Sequence, residues 1–247
     1  MPNPWDVGSA LAMAQQGFAA LATSSSACAA VSGRSDGELS RSQVLTHIAL
    51  IAAAVDLPVS ADLENGFGAS PQDVAQAIRL AAEAGAVGGS IEDAGRSDAE
   101  GLYSFTHAVE RIAAAVEAAR SLPFDFVLTA RAENFVRGVF DLEDTIRRLQ
   151  AFEAAGADVL FAPGLPDLAS VRAVCAAVSR PVNFMVGRPG QSFSVEALQD
   201  AGVRRISFGG SLYRASMVAL RCCAREVLDR GSFGFTDAST VGADGSQ

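Results

Sequence analysis

The feature that most restricts the fold is a repeated punctuation: a helix-like stretch ending in Ala or Gln, then a glycine, then a β-forming run. It occurs at Gln16-Gly17-Phe18, Ala84-Gly85-Ala86, Ala155-Gly156-Ala157 and Ala201-Gly202-Val203. Glycine just past a helix takes the left-handed conformation at little steric cost, so each instance marks a helix handing over to a strand. Strands are expected at residues 19–23, 59–61, 87–91, 126–130, 159–161, 182–185 and 205–208. Helix starts are marked by Ser40-Arg41-Ser42-Gln43 and Ser70-Pro71-Gln72-Asp73, both capping-box patterns. Apolar residues then recur at helical spacing, at Val44, Ile48, Ile51 and Val55, and at Val74, Ala77, Ile78 and Ala81. Asp141 and Asp167 are expected to cap two further helices, and a helix over 212–229 ends the series.

Alternating strands and helices imply a parallel sheet with right-handed crossovers. The seven strands leave a stub for an eighth at residues 1–4, followed by a helix over 7–16, so the N-terminus reads as cut into the first strand. A chain of 247 residues suits one α/β domain. The expected fold is a single (β/α)8 TIM-type barrel over residues 1–230, with a flexible, glycine-rich tail at 231–247. An open doubly wound sheet is disfavoured by the lack of a Gly-x-Gly-x-x-Gly turn.

A net charge of −9 with no basic cluster argues against nucleic acid or an anionic membrane as partner. The longest strongly apolar stretch, 48–55, is far short of the ~20 residues that span a bilayer. The N-terminus has no signal-peptide pattern. Cys28, Cys175, Cys222 and Cys223 lack metal-ligand spacing; Cys222 and Cys223 read as helix packing residues, and the chain as a cytoplasmic protein with reduced thiols. His47 and His107 are the only histidines, and both are expected on helix surfaces.

Three strands end in charged residues: 59–64 in Asp62 and Glu64, 87–93 in Glu92 and Asp93, and 126–133 in Arg131 and Glu133. Burying ionised groups is expensive unless they are paired or bind metal. Parallel strands bring such ends to one mouth of a barrel, where active sites lie. Asp62 and Glu64, two residues apart, and Glu92 on the next strand make an oxygen-rich set suited to Mg²⁺ or Mn²⁺. The competing reading is structural, with these acids paired to Arg96, Arg131 or Arg137. Arg131 can fork onto a carboxylate or phosphonate, or pair with Glu92 or Glu133. Thr23-Ser24-Ser25-Ser26 offers hydroxyls and N–H groups to an anion. Gly209-Gly210 suits either phosphate binding or tight packing.

Asn3-Pro4-Trp5-Asp6, Thr23-Ser24-Ser25, Asp36-Gly37, Ala61-Asp62-Leu63-Glu64-Asn65-Gly66-Phe67-Gly68, Ser90-Ile91-Glu92-Asp93 and Ala130-Arg131-Ala132-Glu133 stand in this order. The set resembles the isocitrate lyase/phosphoenolpyruvate mutase superfamily over nearly the whole chain, to about Glu226. The resemblance implies a (β/α)8 barrel with Mg²⁺ on Asp62 and with Asp36, Glu64 and Glu92 holding its waters. It implies that Arg131, Ser24 and Ser25 bind a 2-oxo acid or its enolate. Glu133 is grouped with this substrate set, and Arg131, Asp36 and Glu92 are assigned to catalysis. The implied chemistry makes or breaks a C–C or P–C bond beside a metal-stabilised pyruvate enolate.

Two segments depart from that pattern. Residues 93–101 hold no Cys, Lys or His, where lyases of the family carry a Lys-x-Cys-Gly-His type gating loop and phosphonate-handling members a lysine and an asparagine. Phe161-Ala162-Pro163-Gly164 stands where mutases place a histidine. The leading expectation is a Mg²⁺-dependent lyase of a substituted 2-oxo or 2-hydroxy diacid. The alternatives are a P–C mutase or hydrolase, and a non-catalytic oxo-acid-binding protein. A small anionic 2-oxo acid is the expected partner, with homo-oligomerisation left open.

Overall fold

In the computed structural model, which describes residues 1–96, 100–188 and 190–240, seven strands form one parallel sheet in chain order. They are β1 (Leu21–Ala22), β2 (Val59–Asp62), β3 (Gly88–Glu92), β4 (Val127–Arg131), β5 (Val159–Phe161), β6 (Val182–Met185) and β7 (Arg205–Ser207). The expected strands are all present, most of them a residue or two shorter or shifted. Residues 1–3 lie in the gap between β7 and β1. The Met1 nitrogen donates to the Ile206 carbonyl at 2.8 Å, and the Ala22 N–H donates to the Pro2 carbonyl at 2.9 Å. The Asn3 side chain grips both sides: Nδ2 donates to the Thr23 carbonyl, and Oδ1 accepts from the N–H groups of Phe208 and Gly209. The result is a nearly closed α/β barrel.

Among the described residues, eight helices flank these strands: α1 (Val7–Gln15), α2 (Ser25–Val31), α3 (Arg41–Ala54), α4 (Pro71–Glu83), α5 (Phe105–Arg120), α6 (Leu142–Ala154), α7 (Leu168–Ala177) and α8 (Val195–Asp200). Ser40 and Ser70 form full capping boxes with Gln43 and Asp73, and Asp141 and Asp167 cap α6 and α7. Each such cap is worth about 1 kcal/mol. After α4 the chain turns at Gly85 with φ +95°, and the next residues enter β3. The serine run that follows β1 opens α2, with Ser24 as its N-cap.

Strand periodicity divides the side chains into two sets. Outward residues such as Ala61, Ile91, Leu128, Leu160 and Phe184 join the inner stripes of the helices, Ile48, Ile78, Ile112 and Leu149 among them, in one apolar core. Much of the inward set is polar: Ser60, Ser90, Thr129, Asn183, Arg205 and Ser207 line the interior beside Phe161 and Met185. Barrel interiors are ordinarily filled by layers of branched apolar side chains. Here the polar set lines a cavity of about 500 Å³.

His47 is half-buried, whereas His107 keeps 34% of its side chain exposed at the surface. His47 Nε2 bonds the Trp5 carbonyl at 2.9 Å and His107 Nε2 that of Ala69 at 2.8 Å, so each pins a helix to a neighbouring segment. The described residues from Ser211 onward belong to a second compact unit. It contains α9 (Ser211–Arg230) and α10 (Gly234–Thr240), the latter within the stretch expected to be a flexible tail. Glu226 joins the two helices by accepting from Ser232 Oγ and the Gly234 N–H. Cys222 is exposed rather than packed, and all four thiols are free. No helix among the described residues is long and apolar enough to cross a membrane.

Candidate active site

The loop after β2 is tightly constrained. Glu64 and Phe67 have φ of +50° and +63°, left-handed values rare outside glycine. Gly66 has φ +82°, and a Cβ there would come within 3.0 Å of Val74. Several bonds hold this backbone. The Glu92 N–H donates to the Glu64 carbonyl at 2.9 Å, extending the β2–β3 pairing, and Asn65 Oδ1 accepts from the Phe67 N–H. Buried Arg111 of α5 donates to the carbonyls of Asn65, Gly68 and Ala69, and its guanidinium lies 4.3 Å from the Tyr103 ring centroid.

Asp62, Glu92, Arg131 and Glu133 meet as the strand-end reading expects. Arg131 Nη1 lies 2.9 Å from Glu92 Oε1 and 3.3 Å from Asp62 Oδ1, and Nε donates to Glu133 Oε1 at 2.9 Å. The guanidinium sits 5.0 Å from the Phe161 ring centroid. Burial opposes the Arg131 charge, but Glu133, Glu92 and Asp62 outweigh it and raise its pKa. Burial also pushes Glu92 well above, and Glu133 above, the usual carboxylate range, despite Arg131.

Ser24 and Ser25 are buried in the cavity wall, and the Ser25 N–H donates to Asp62 Oδ2 at 3.1 Å. Thr23 Oγ1 accepts from the Asp62 N–H at 2.9 Å. Asp36 reaches the cavity from the loop after α2 and stays open to solvent at the mouth. Desolvation by the surrounding wall and the Asp62 charge raise its pKa, while a bond from Ser25 works against them.

Glu64 takes the structural alternative. It is 5 % exposed and its carboxylate is held by Arg96, with Nε donating at 3.0 Å. Burial lifts its pKa to about 7 against the pull of Arg96. Among the described residues, no group of three or more His, Cys, Asp or Glu side chains is placed to hold a metal ion. Asp62, Glu64 and Glu92 therefore do not form a ready-made cage, because Arg96 draws off Glu64 and Arg131 engages Glu92. All three still line one cavity with Asp36. The donors are all carboxylate oxygens, which fits Mg²⁺, an ion that takes one or two direct carboxylates and keeps several waters. The charge balance points the same way, since one guanidinium faces three carboxylates in a buried setting.

Two roles were not read from the sequence. Asp93 Oδ1 accepts from the Glu133 N–H at 2.8 Å, and its other oxygen pairs with Arg148 of α6 at 3.0 Å, which fixes the end of β4 from outside the barrel. The inward polar set, Arg205 and Asn183 included, was legible as alternation: Ser90/Glu92, Thr129/Arg131 and Arg205/Ser207 are pairs two apart on their strands. Residues 97–99 of the loop after Glu92 lie outside the described residues. Arg96 of that loop also donates to the Leu39 carbonyl at 2.6 Å.

Comparison with known proteins agrees with this geometry. A family model described as phosphoenolpyruvate phosphomutase matches residues 1–228. The 2-methylisocitrate lyase of Aeropyrum pernix is 29% identical over 240 residues, covering 94% of this chain and 76% of its own length. A candidate lyase/mutase from Burkholderia cenocepacia J2315 superposes with a TM-score of 0.94 at 53% identity, covering 96% of this chain and 85% of its own. Oxaloacetate acetylhydrolase in complex with oxalate superposes with a TM-score of 0.86 at 26% identity, over 94% of this chain and 82% of its own. The chain thus belongs to the phosphoenolpyruvate phosphomutase family, within a PEP mutase/isocitrate lyase superfamily whose named members include lyases, mutases and hydrolases.

Proposed function

We propose that this protein is a Mg²⁺-dependent lyase that cleaves a C–C bond of a substituted 2-oxo or 2-hydroxy diacid and releases an oxo acid through its enolate. The observation that carries the reading is the Asp62–Glu92–Glu133 cluster on Arg131 at the mouth of a polar cavity. Arg131 uses Nε and Nη1 on these carboxylates, and its Nη2 remains to orient a substrate carboxylate. Asp62 is the metal-holding carboxylate, positioned by the Ser25 N–H, with Asp36, Glu64 and Glu92 around it to hold metal-bound water. When bound, a divalent ion absorbs the negative charge that develops on the enolate oxygen. Ser24 and Ser25 close the wall on the substrate side. The loop over 93–101 offers no Cys, His or Lys, so the proton for the leaving enolate comes from a carboxyl group or water.

The test is one screen of purified protein with Mg²⁺ and a panel of 2-oxo diacids, malates and phosphonates, following pyruvate and phosphate together. Pyruvate or another oxo acid is the expected product, EDTA abolishes it, and Asp62→Ala lowers turnover at least 100-fold with loss of metal binding. Full turnover in metal-free protein sinks the reading. Phosphate release from phosphonopyruvate replaces it with P–C chemistry. Stabilisation by oxalate and Mg²⁺ with no turnover of any compound replaces it with a binding role.

A further inference from the structure

The polar floor of the barrel holds a cation that the Arg131 cluster does not explain. Arg205 of β7 is half-buried inside the barrel and lines the same cavity as Arg131. Among the described residues its one hydrogen-bond partner is a neutral hydroxyl, Thr129 Oγ1 on β4, at 3.0 Å. The other buried arginines are satisfied differently. Arg131 faces three carboxylates, Arg148 pairs with Asp93 and Asp144, and Arg111 is held by three carbonyls. A guanidinium carries five donors, so Arg205 presents most of its hydrogen-bonding capacity, and its whole charge, to the cavity. Burial alone lowers its pKa, with no carboxylate acting to raise it.

The neighbours of Arg205 suit an anion. Asn183 is its register partner on β6; Nδ2 donates to Ser207 Oγ at 3.0 Å and carries a second hydrogen that can be given to an anion, whereas its buried Oδ1 is an acceptor and takes no part in holding one. Ser60 and Ser90 add hydroxyls to the same cavity. Small polar side chains leave open the space that branched apolar residues fill in an ordinary barrel. Thr129 precedes Arg131 by two residues on β4, so the Arg205 layer lies roughly 6–7 Å of strand rise below the Arg131 layer. That separation matches a short extended diacid with one acidic group on each arginine.

We infer that Arg205, with Thr129 and Asn183, forms an anion subsite on the barrel floor that receives the second acidic group of a dianionic substrate. The inference rests on the proposed function for the identity of the first acidic group, and it makes Arg205 a specificity-determining residue. A substrate with one acidic group leaves this guanidinium unpaired, whereas a dianion neutralises both arginine layers at once.

The test reads binding, not turnover. Matched probes differing by one carboxylate, lactate against malate and pyruvate against 2-oxoglutarate, are titrated by calorimetry with and without Mg²⁺. Wild-type protein is expected to bind the dianion of at least one pair 10-fold or more tighter. Arg205→Gln removes that preference and leaves monoanion affinity within two-fold, and Arg205→Lys retains part of it. Asn183→Asp, an isosteric change, places a fixed carboxylate beside Arg205 and erases the preference without removing the arginine, which covers the case of an Arg205→Gln protein that does not fold. Less than three-fold preference in both pairs for the wild type overturns the subsite. So does equal weakening of both members of a pair by the variants, which marks a structural role. A protein that turns over nothing but keeps the dianion preference overturns the lyase reading and leaves the subsite standing.

Discussion

Under the proposed function, Arg131 joins substrate chemistry and folding in one side chain. Among the described residues, its guanidinium is the one counter-charge that Asp62, Glu92 and Glu133 share within 3.3 Å. Removing one partner of a buried ionic cluster is far more damaging than the cluster's net worth, because the others remain desolvated and unpaired. Arg131→Met is therefore expected to lower folding stability by about 3–5 kcal/mol at neutral pH. Arg131→Lys keeps the charge and loses the fork, so most of the stability survives while affinity for pyruvate drops at least 10-fold. Urea unfolding with pyruvate titration separates the two variants. A Met variant as stable as the wild type would show that proton uptake by Glu92 and Glu133 already neutralises the cluster.

At the scale of elements, α6 holds the end of β4 from behind. Arg148 bridges Asp93 to Asp144, and Asp144 also accepts from Arg147 and from Asn134 of the loop leading to α6. For Asp144, burial raises the pKa, but bonds from Arg148, Arg147 and Asn134 outweigh it and bring it down to about 2. The folded pKa is below the unfolded one, so the charged form favours the folded state. That contribution is complete above about pH 4 and disappears as the pH falls through 2. Because Asp144 is partly solvated, its worth is about 1 kcal/mol after screening. Asp144→Asn should be less stable than wild type by that amount at pH 6, with the gap closing by pH 2 in chemical denaturation. A gap independent of pH would assign the effect to packing.

The elements most legible in the sequence are those fixed by local chemistry. Ser40, Ser70, Asp141 and Asp167 cap the helices they were expected to cap, since a cap depends on its own next three residues. The meeting of Asp62, Glu92 and Arg131 was also legible, because parallel strands leave their C-terminal ends at one mouth. Pairing choices were not. Whether Glu64 faces a metal or Arg96 depends on a loop more than thirty residues later, and Asp93 finds Arg148 across 55 positions. The Arg205 layer lay in plain alternation, but its meaning needed the closed barrel that brings it against Thr129.

For the whole molecule, closure turns on three residues. β7 and β1 are joined through 1–3, and Asn3 is 5 % exposed with three hydrogen bonds divided between the two sides of the seam. Asn3→Ala leaves the Thr23 carbonyl and the N–H groups of Phe208 and Gly209 without partners. Each orphaned buried group costs about 1–3 kcal/mol, reduced where water enters, so a total of about 3 kcal/mol is expected. For a chain of this size that corresponds to a melting temperature lower by roughly 6–12 °C. The site should feel the change as well, because Thr23 Oγ1 accepts from the Asp62 N–H and the Thr23 carbonyl is one of the groups released. Oxo-acid affinity in the presence of Mg²⁺ is therefore expected to fall with the melting temperature. Asn3→Asp retains an oxygen acceptor for Phe208 and Gly209 and loses only the donor to Thr23, so it should fall between the two. If Asn3→Ala melts with the wild type, the seam is held by the Met1 and Pro2 backbone bonds alone, and the barrel closes without its side-chain clamp.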